Sequence, residues 1–127
     1  MERIELQKVD KTIYREVLDN GLEIIVIPNE EYSKKKNYYF NYGTYYGANI
    51  NEFVPINKTK MTSFPKGIAH FLEHKMFETE NGVKPFDFYA KTGSYVNAFT
   101  SYRSTSYIVT GNKSLKENLE FLLTFVN

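Results

Sequence analysis

The sequence predicts an α+β fold, with a mixed or antiparallel sheet carrying helices on one face, and three observations predict it. Two runs rich in Ile, Val and Leu flank Asn20-Gly21, a dipeptide favoured in tight hairpin turns. Residues 96–100 and 105–110 form a second strand-like pair across a short polar turn. Elsewhere apolar residues recur at helical rather than alternating spacing, as around residues 68–76 and 115–126. Such segments bury their apolar sides by layering helices on a sheet. At 127 residues, without internal repeats, the chain has room for one domain at most.

The elements follow in order. Residues 12–18 and 22–27 make the first hairpin, with Asn20-Gly21 supplying a primed turn. Tyr38, Tyr39, Phe40, Tyr42, Tyr45 and Tyr46 form a long aromatic strand, in which Gly43 and Gly47 mark a bulge or a close approach of backbone. Residues 49–63 show no steady period and contain Pro55 with several Asn and Lys, the composition of a connecting loop. A helix spans about residues 66–77, its apolar side formed by Ile68, Phe71, Leu72 and Met76. Lys75 sits awkwardly on that side. A second helix runs from Pro85, suited to a first turn, to Lys91, with Gly93 in the stop position. Beyond the second strand pair, Ser114 and Glu117 have capping-box spacing ahead of a stripe of Leu115, Leu119, Leu122, Leu123 and Val126.

Composition excludes several functions. Sixteen Lys+Arg against fifteen Asp+Glu give a formal net charge of +1, which argues against nucleic acid as a partner. No apolar run approaches the length of a membrane span, and Met1 is followed by Glu2, Arg3 and Glu5 rather than a basic and then apolar leader. A cytoplasmic chain with no membrane partner is expected. Cysteine is absent, which removes disulfides, thiol nucleophiles and thiolate metal sites and leaves His, Asp and Glu as the strong ligands. Eleven Tyr and ten Phe supply ample core material.

The two histidines of the chain, His70 and His74, are four residues apart, with Glu73 between them. At about 100° per residue all three share one helix face, opposite the apolar side. Two imidazoles one turn apart can reach a single Zn²⁺, and a catalytic zinc takes three protein ligands and a water. The metal lowers the pKa of that water, and a neighbouring carboxylate can take its proton as a polarised carbonyl is attacked. The pattern is HxxEH, a zinc-enzyme signature for which amide hydrolysis is the natural reaction. The bland alternative is an α+β binding module whose histidines only decorate a polar helix face.

Residues 67–78 (GIAHFLEHKMFE) and 93–101 (GSYVNAFTS) closely resemble the amino-terminal domain of the pitrilysin/insulysin family of zinc peptidases, M16, and most of all its bacterial processing-protease homologues. The likeness runs from the Asn20-Gly21 hairpin to the Leu-rich terminal helix. It implies the LuxS/MPP-like metallopeptidase fold, with His70 and His74 as zinc ligands and Glu73 as the general base. It also implies that Asn97, Ala98 and Phe99 lie on a substrate-facing edge strand, where an extended peptide binds by strand addition. Asn97 would hold a substrate carbonyl and Phe99 would help shape a pocket. Read from the residues alone, the alternation through 96–100 is what any half-buried strand shows.

The third zinc ligand of that family is a Glu on a later helix, beyond Asn127, and Glu117 and Glu120 come too early to match it. The resemblance therefore implies an incomplete domain: the amino-terminal part of a zinc metalloendopeptidase, truncated before its third ligand, inactive alone and binding zinc weakly. The expected partners are a peptide substrate and the remaining peptidase domains or a homologous partner chain. Self-association through Leu119, Leu122, Leu123, Phe125 and Val126 is a further expectation. A non-catalytic scaffold or substrate-recognition subunit of the same family is the alternative function.

Overall fold

Residues 1–78 and 82–126 are described by a computed structural model, in which eight strands form three antiparallel sheets among the described residues. The chain divides into two units, Met1–Lys36 and Asn37–Asn127, where its length suggested one domain.

The first unit is a meander in the order β1-β2-β3, with β1 Glu2–Leu6, β2 Lys11–Val17 and β3 Glu23–Val26, followed by the short helix α1 Glu30–Lys34. Strand β1 was not expected from the sequence. It sets Ile4 opposite Ile13 and Glu2 opposite Arg15, whose guanidinium also meets Glu23 at 2.5 Å. The β2–β3 hairpin is present, but its turn is not the primed type. The Gly21 N–H donates to the Leu18 carbonyl at 2.8 Å and Gly21 alone takes a positive φ, +84°, so a three-residue loop closes on a left-handed glycine. Asn20 keeps a negative φ and accepts the Leu22 N–H on its side chain at 3.1 Å. No described side chain of this unit is fully buried.

The second unit is built on the sheet β4-β8-β7, with β4 Tyr38–Thr44, β7 Tyr95–Thr100 and β8 Thr105–Gly111. Register places Tyr38 opposite Gly111, Tyr42 opposite Tyr107, Ala98 opposite Tyr107 and Thr100 opposite Thr105. Alternation then gives one face to Tyr38, Phe40, Tyr107, Val109 and Val96 and the other to Tyr39, Tyr95, Asn97 and Phe99. Three helices cover the first face: α2 Ile68–Met76 lies on β7 and β8, α3 Pro85–Lys91 on β7, and α4 Leu115–Phe125 on β4 and β8. This is the expected α+β arrangement with helices on one face. The core joins Tyr38, Tyr89, Val96, Tyr107, Val109 and Leu122. Complete burial of a side chain such as Val109 or Leu122 contributes about 1.5–3 kcal/mol.

A polar cluster sits inside this core. Asn118 of α4 is fully buried, and its amide donates to Ser94 Oγ at 2.7 Å and to the Tyr38 hydroxyl. The Asn118 backbone carbonyl accepts the Tyr89 hydroxyl at 3.0 Å. Helices α3 and α4 and strand β4 are thereby fixed to one another by hydrogen bonds whose loss would strand buried polar atoms.

Several local expectations are corrected. The segment 49–63 contains a small ribbon, β5 Glu52–Phe53 with β6 Thr62–Ser63, too short to show a period in sequence. Helix α4 buries Asn118 and Leu122 and packs Phe121 and Phe125 on the core, while Leu115 is exposed. Its inner face is therefore rotated from the leucine stripe, because the aromatic rings fill more space against Phe88, Tyr89 and Tyr107. Leu122 is covered within the chain, which removes it from any self-association surface. Ser114 precedes α4 at φ 51°, ψ 39° and makes no side-chain cap bond, so the capping box does not form. A cap residue needs an extended backbone to aim its oxygen at the first turn.

Candidate metal centre

Helix α2 begins after Gly67, whose φ of +85° turns the chain out of Pro65 and Lys66, and ends where the Phe77 N–H returns to the His74 carbonyl at 3.1 Å. The inner face of this helix is rotated from the wheel expectation: Met76 stays on it, while Phe71 and Leu72 turn out and Glu73 turns in. Ala69 and Glu73 are its buried residues, whereas Phe71 is 57% and Leu72 44% exposed. The small Ala69 allows close approach to the sheet, and Met76 and Phe77 complete the inner side against the core. Apolar patterning failed because this helix turns a carboxylate rather than its bulkiest apolar side chains toward the strands.

His70 and His74 remain exposed at the margin of that inner side. Their Nε2 atoms stand 3.0 Å apart, one ring donating to the other, with the rings tilted at 51°. One ligand atom from each of His70, Glu73 and His74 lies within 4.8 Å of the others. Two nitrogens on a tetrahedral zinc at about 2.05 Å stand about 3.3 Å apart, so a small rotation of the rings admits the ion. The donor set fits zinc: two imidazoles with facing nitrogens in a chain without thiols.

Glu73 is 7% exposed, and its Oε2 accepts the Thr100 hydroxyl at 2.7 Å. Its charge adds to burial in pushing the Tyr107 phenol above its ordinary value, burial being the larger cause. At the end of the helix Lys75 meets Glu78 at 2.7 Å and holds that carboxyl below the usual range. Lys75 therefore lies on the exposed side with Phe71 and Leu72, which resolves its awkward place on the wheel.

The histidines and Glu73 open onto a cleft of about 300 Å³ that Phe77, Phe86, Asn97 and Ala98 also line. Phe77 and Phe86 stack there with centroids 4.8 Å apart. Strand β7 forms the edge of its sheet beside this cleft. The Ala98 N–H donates to the side-chain oxygen of Asn97 at 2.9 Å. Asn97 and Ala98 thus join the histidine–glutamate group, whereas Phe99 is 48% exposed and lies outside the cleft lining. Sequence reading did not single out Thr100 or Phe86. The alternation along 95–100 could have placed Thr100 on the Ala98 side, but not against Glu73.

Comparison with known proteins agrees with this geometry. The sequence profile of insulinase, peptidase family M16, matches residues 62–127. The chain is 41% identical over 123 residues to the uncharacterized zinc protease YmfH of Bacillus subtilis, covering 97% of this chain and 28% of that protein. A crystal structure of an M16-like peptidase from Alicyclobacillus acidocaldarius superposes with a TM-score of 0.81 at 31% identity, over 92% of this chain and 26% of that one. The chain thus spans little more than a quarter of the length of the relatives it matches.

Proposed function

The chain belongs to the insulinase family of peptidases, M16, and on that premise we propose that it is the amino-terminal part of a zinc metalloendopeptidase and carries the base and two of the metal ligands. The observation that carries this reading is the pair of facing imidazole nitrogens, 3.0 Å apart, with Glu73 beside them at the mouth of a cleft bordered by an edge strand. His70 and His74 would hold zinc, and a third ligand would come from protein outside these 127 residues. Zinc bound there supplies Lewis acidity toward a carbonyl oxygen and acidifies a water molecule.

The chain's own residues supply the rest. Glu73 would take the proton of the attacking water and pass it to the leaving amine, the role of a general base that then acts as a general acid. Thr100 holds Oε2, which leaves Oε1 for this task. A peptide would pair with the free edge of β7 by strand addition. Asn97, whose side-chain oxygen accepts the Ala98 N–H, would donate its side-chain amide N–H to a substrate carbonyl, and Phe99 would meet the peptide further along the strand, outside the cleft. The remaining domains or a homologous partner chain would complete the cleft. The alternative of a non-catalytic scaffold gains nothing from a site that retains both histidines and the glutamate.

The test is Glu73→Gln in the full-length protein that carries this chain. Zinc content should stay at the wild-type level while peptide turnover falls by at least about a hundredfold, within the range general-base catalysis supplies. Turnover equal to wild type would refute Glu73 as the base.

A further inference from the structure

We propose that Thr100 is a positioning residue that fixes the carboxylate of Glu73, so that β7 orients both the peptide and the base that acts on it. The proposal rests on the reading of Glu73 as the general base. Glu73 has little exposed surface apart from its face toward the cleft, so on its other side the protein must hold the carboxylate. Among the described residues no lysine or arginine pairs with Glu73, and the bond to its side chain comes from the Thr100 hydroxyl at 2.7 Å.

That hydroxyl is itself held. Thr100 is the last residue of β7 and faces Thr105, the first of β8, with their Oγ1 atoms 3.3 Å apart. Thr105 donates its own proton to the Tyr46 carbonyl at 2.8 Å, so its oxygen has only lone pairs to turn toward Thr100. The two acceptors then compete for the single Thr100 proton, and the charged Glu73 carboxylate at 2.7 Å takes it in preference to a neutral hydroxyl at 3.3 Å. Both residues are β-branched and stiff about χ1, and the backbone beneath them is tied by the Ser101 N–H to the Ser104 carbonyl at 2.8 Å. The same strand places Asn97 and Ala98 at the cleft three and two residues earlier. Base and substrate edge thus share one rigid element, which is how a catalytic geometry is held to within fractions of an ångström.

The test compares Thr100→Val, which keeps shape and strand preference but loses the donor, with Thr100→Ser, which keeps the donor. In the full-length peptidase the valine variant should lower kcat by about 10–100-fold, the usual cost of removing a supporting hydrogen bond, with KM and zinc content unchanged. The serine variant should recover most of that loss. Valine-variant kinetics equal to wild type, alongside an inactive Glu73→Gln control, would overturn the proposal and leave the base assignment standing. An active Glu73→Gln control would sink the base assignment instead. The positioning claim is then decided on this chain itself, labelled with ¹³C-glutamate and held at one pH. There the Glu73 carboxyl resonance should move in the valine variant and stay in the serine variant, and a resonance unmoved by valine overturns the claim whatever the activity.

Discussion

The Nε2 atoms of His70 and His74 stand 3.0 Å apart across one turn of α2, closer than the spacing of about 3.3 Å that a shared tetrahedral zinc sets. The rings are therefore placed so that a zinc ion would need only a small reorganisation of the pair to bind. One zinc or cobalt ion per chain is expected near neutral pH, with affinity held down by the shortage of protein ligands. Either His70→Ala or His74→Ala should weaken it by at least about tenfold, or about 1.4 kcal/mol. Calorimetric titration checks this, as does the rise of the thermal midpoint with added metal. Equal affinity in the alanine variants would place the ion elsewhere.

The outward turn of Phe71 and Leu72 leads to a second expectation. Were they core residues, a polar substitution at either would cost several kcal/mol. Because both are substantially exposed, Phe71→Ser and Leu72→Ser should each change the stability of this chain by no more than about 0.5 kcal/mol. Ala69→Leu, which forces a large side chain between α2 and the strands, should cost about 1–3 kcal/mol. Urea unfolding of the three variants measures the contrast, and the reverse order would return the helix to the orientation its apolar spacing suggests.

Much of the architecture was legible because several signals agreed. Pro85 and Gly93 bracket α3, whose bounds match the sequence reading, and Gly93 takes a φ of +68° past its end. The β7–β8 hairpin announced itself by two strand-like runs across a short polar turn. What failed has physical causes. Strand β1 reads as a run of charges, since its one inward-leaning apolar pair, Ile4 with Ile13, depends on a partner strand that sequence does not display. The α2 orientation failed where a buried carboxylate displaced the usual rule: the acid goes in and the phenylalanine stays out. The histidine–glutamate group was legible because helical geometry alone brings its members together. Thr100 was not, since its meeting with Glu73 spans 27 residues and depends on how helix and strand pack.

Ser114 offers a third measurement. A working capping box would make Ser114→Ala cost about 1 kcal/mol. With a left-handed backbone and no side-chain cap bond, Ser114 has little to lose, and the alanine variant should lie within about 0.5 kcal/mol of wild type. Ser114→Gly should instead gain stability, because glycine relieves the positive φ of 51° that L-residues resist. A loss near 1 kcal/mol on alanine substitution would show that the cap forms in solution.

Gly47→Ala should be a damaging substitution for its size. A Cβ at Gly47 would meet the backbone nitrogen of Ser104 and come within 2.6 Å of the Arg103 carbonyl carbon and nitrogen. These are main-chain atoms, and they cannot swing aside as a flexible side chain would. The contact is tight because the chain after β4 lies against the β7–β8 turn, with Ala48 N–H donating to the Ser101 carbonyl and Asn49 N–H to the Tyr102 carbonyl, each at 2.9 Å. To admit one methyl group, those bonds must lengthen and the turn must shift, at a cost of about 1–3 kcal/mol. The shift would also disturb Thr105, whose hydroxyl reaches back to the Tyr46 carbonyl next to the glycine. Gly43→Ala is the control, since its Cβ would find only Ser106 Oγ at an ordinary 3.9 Å. Urea unfolding should therefore separate the two alanine variants by at least about 1 kcal/mol, and equal stabilities would mean that the strand end does not lie against the turn.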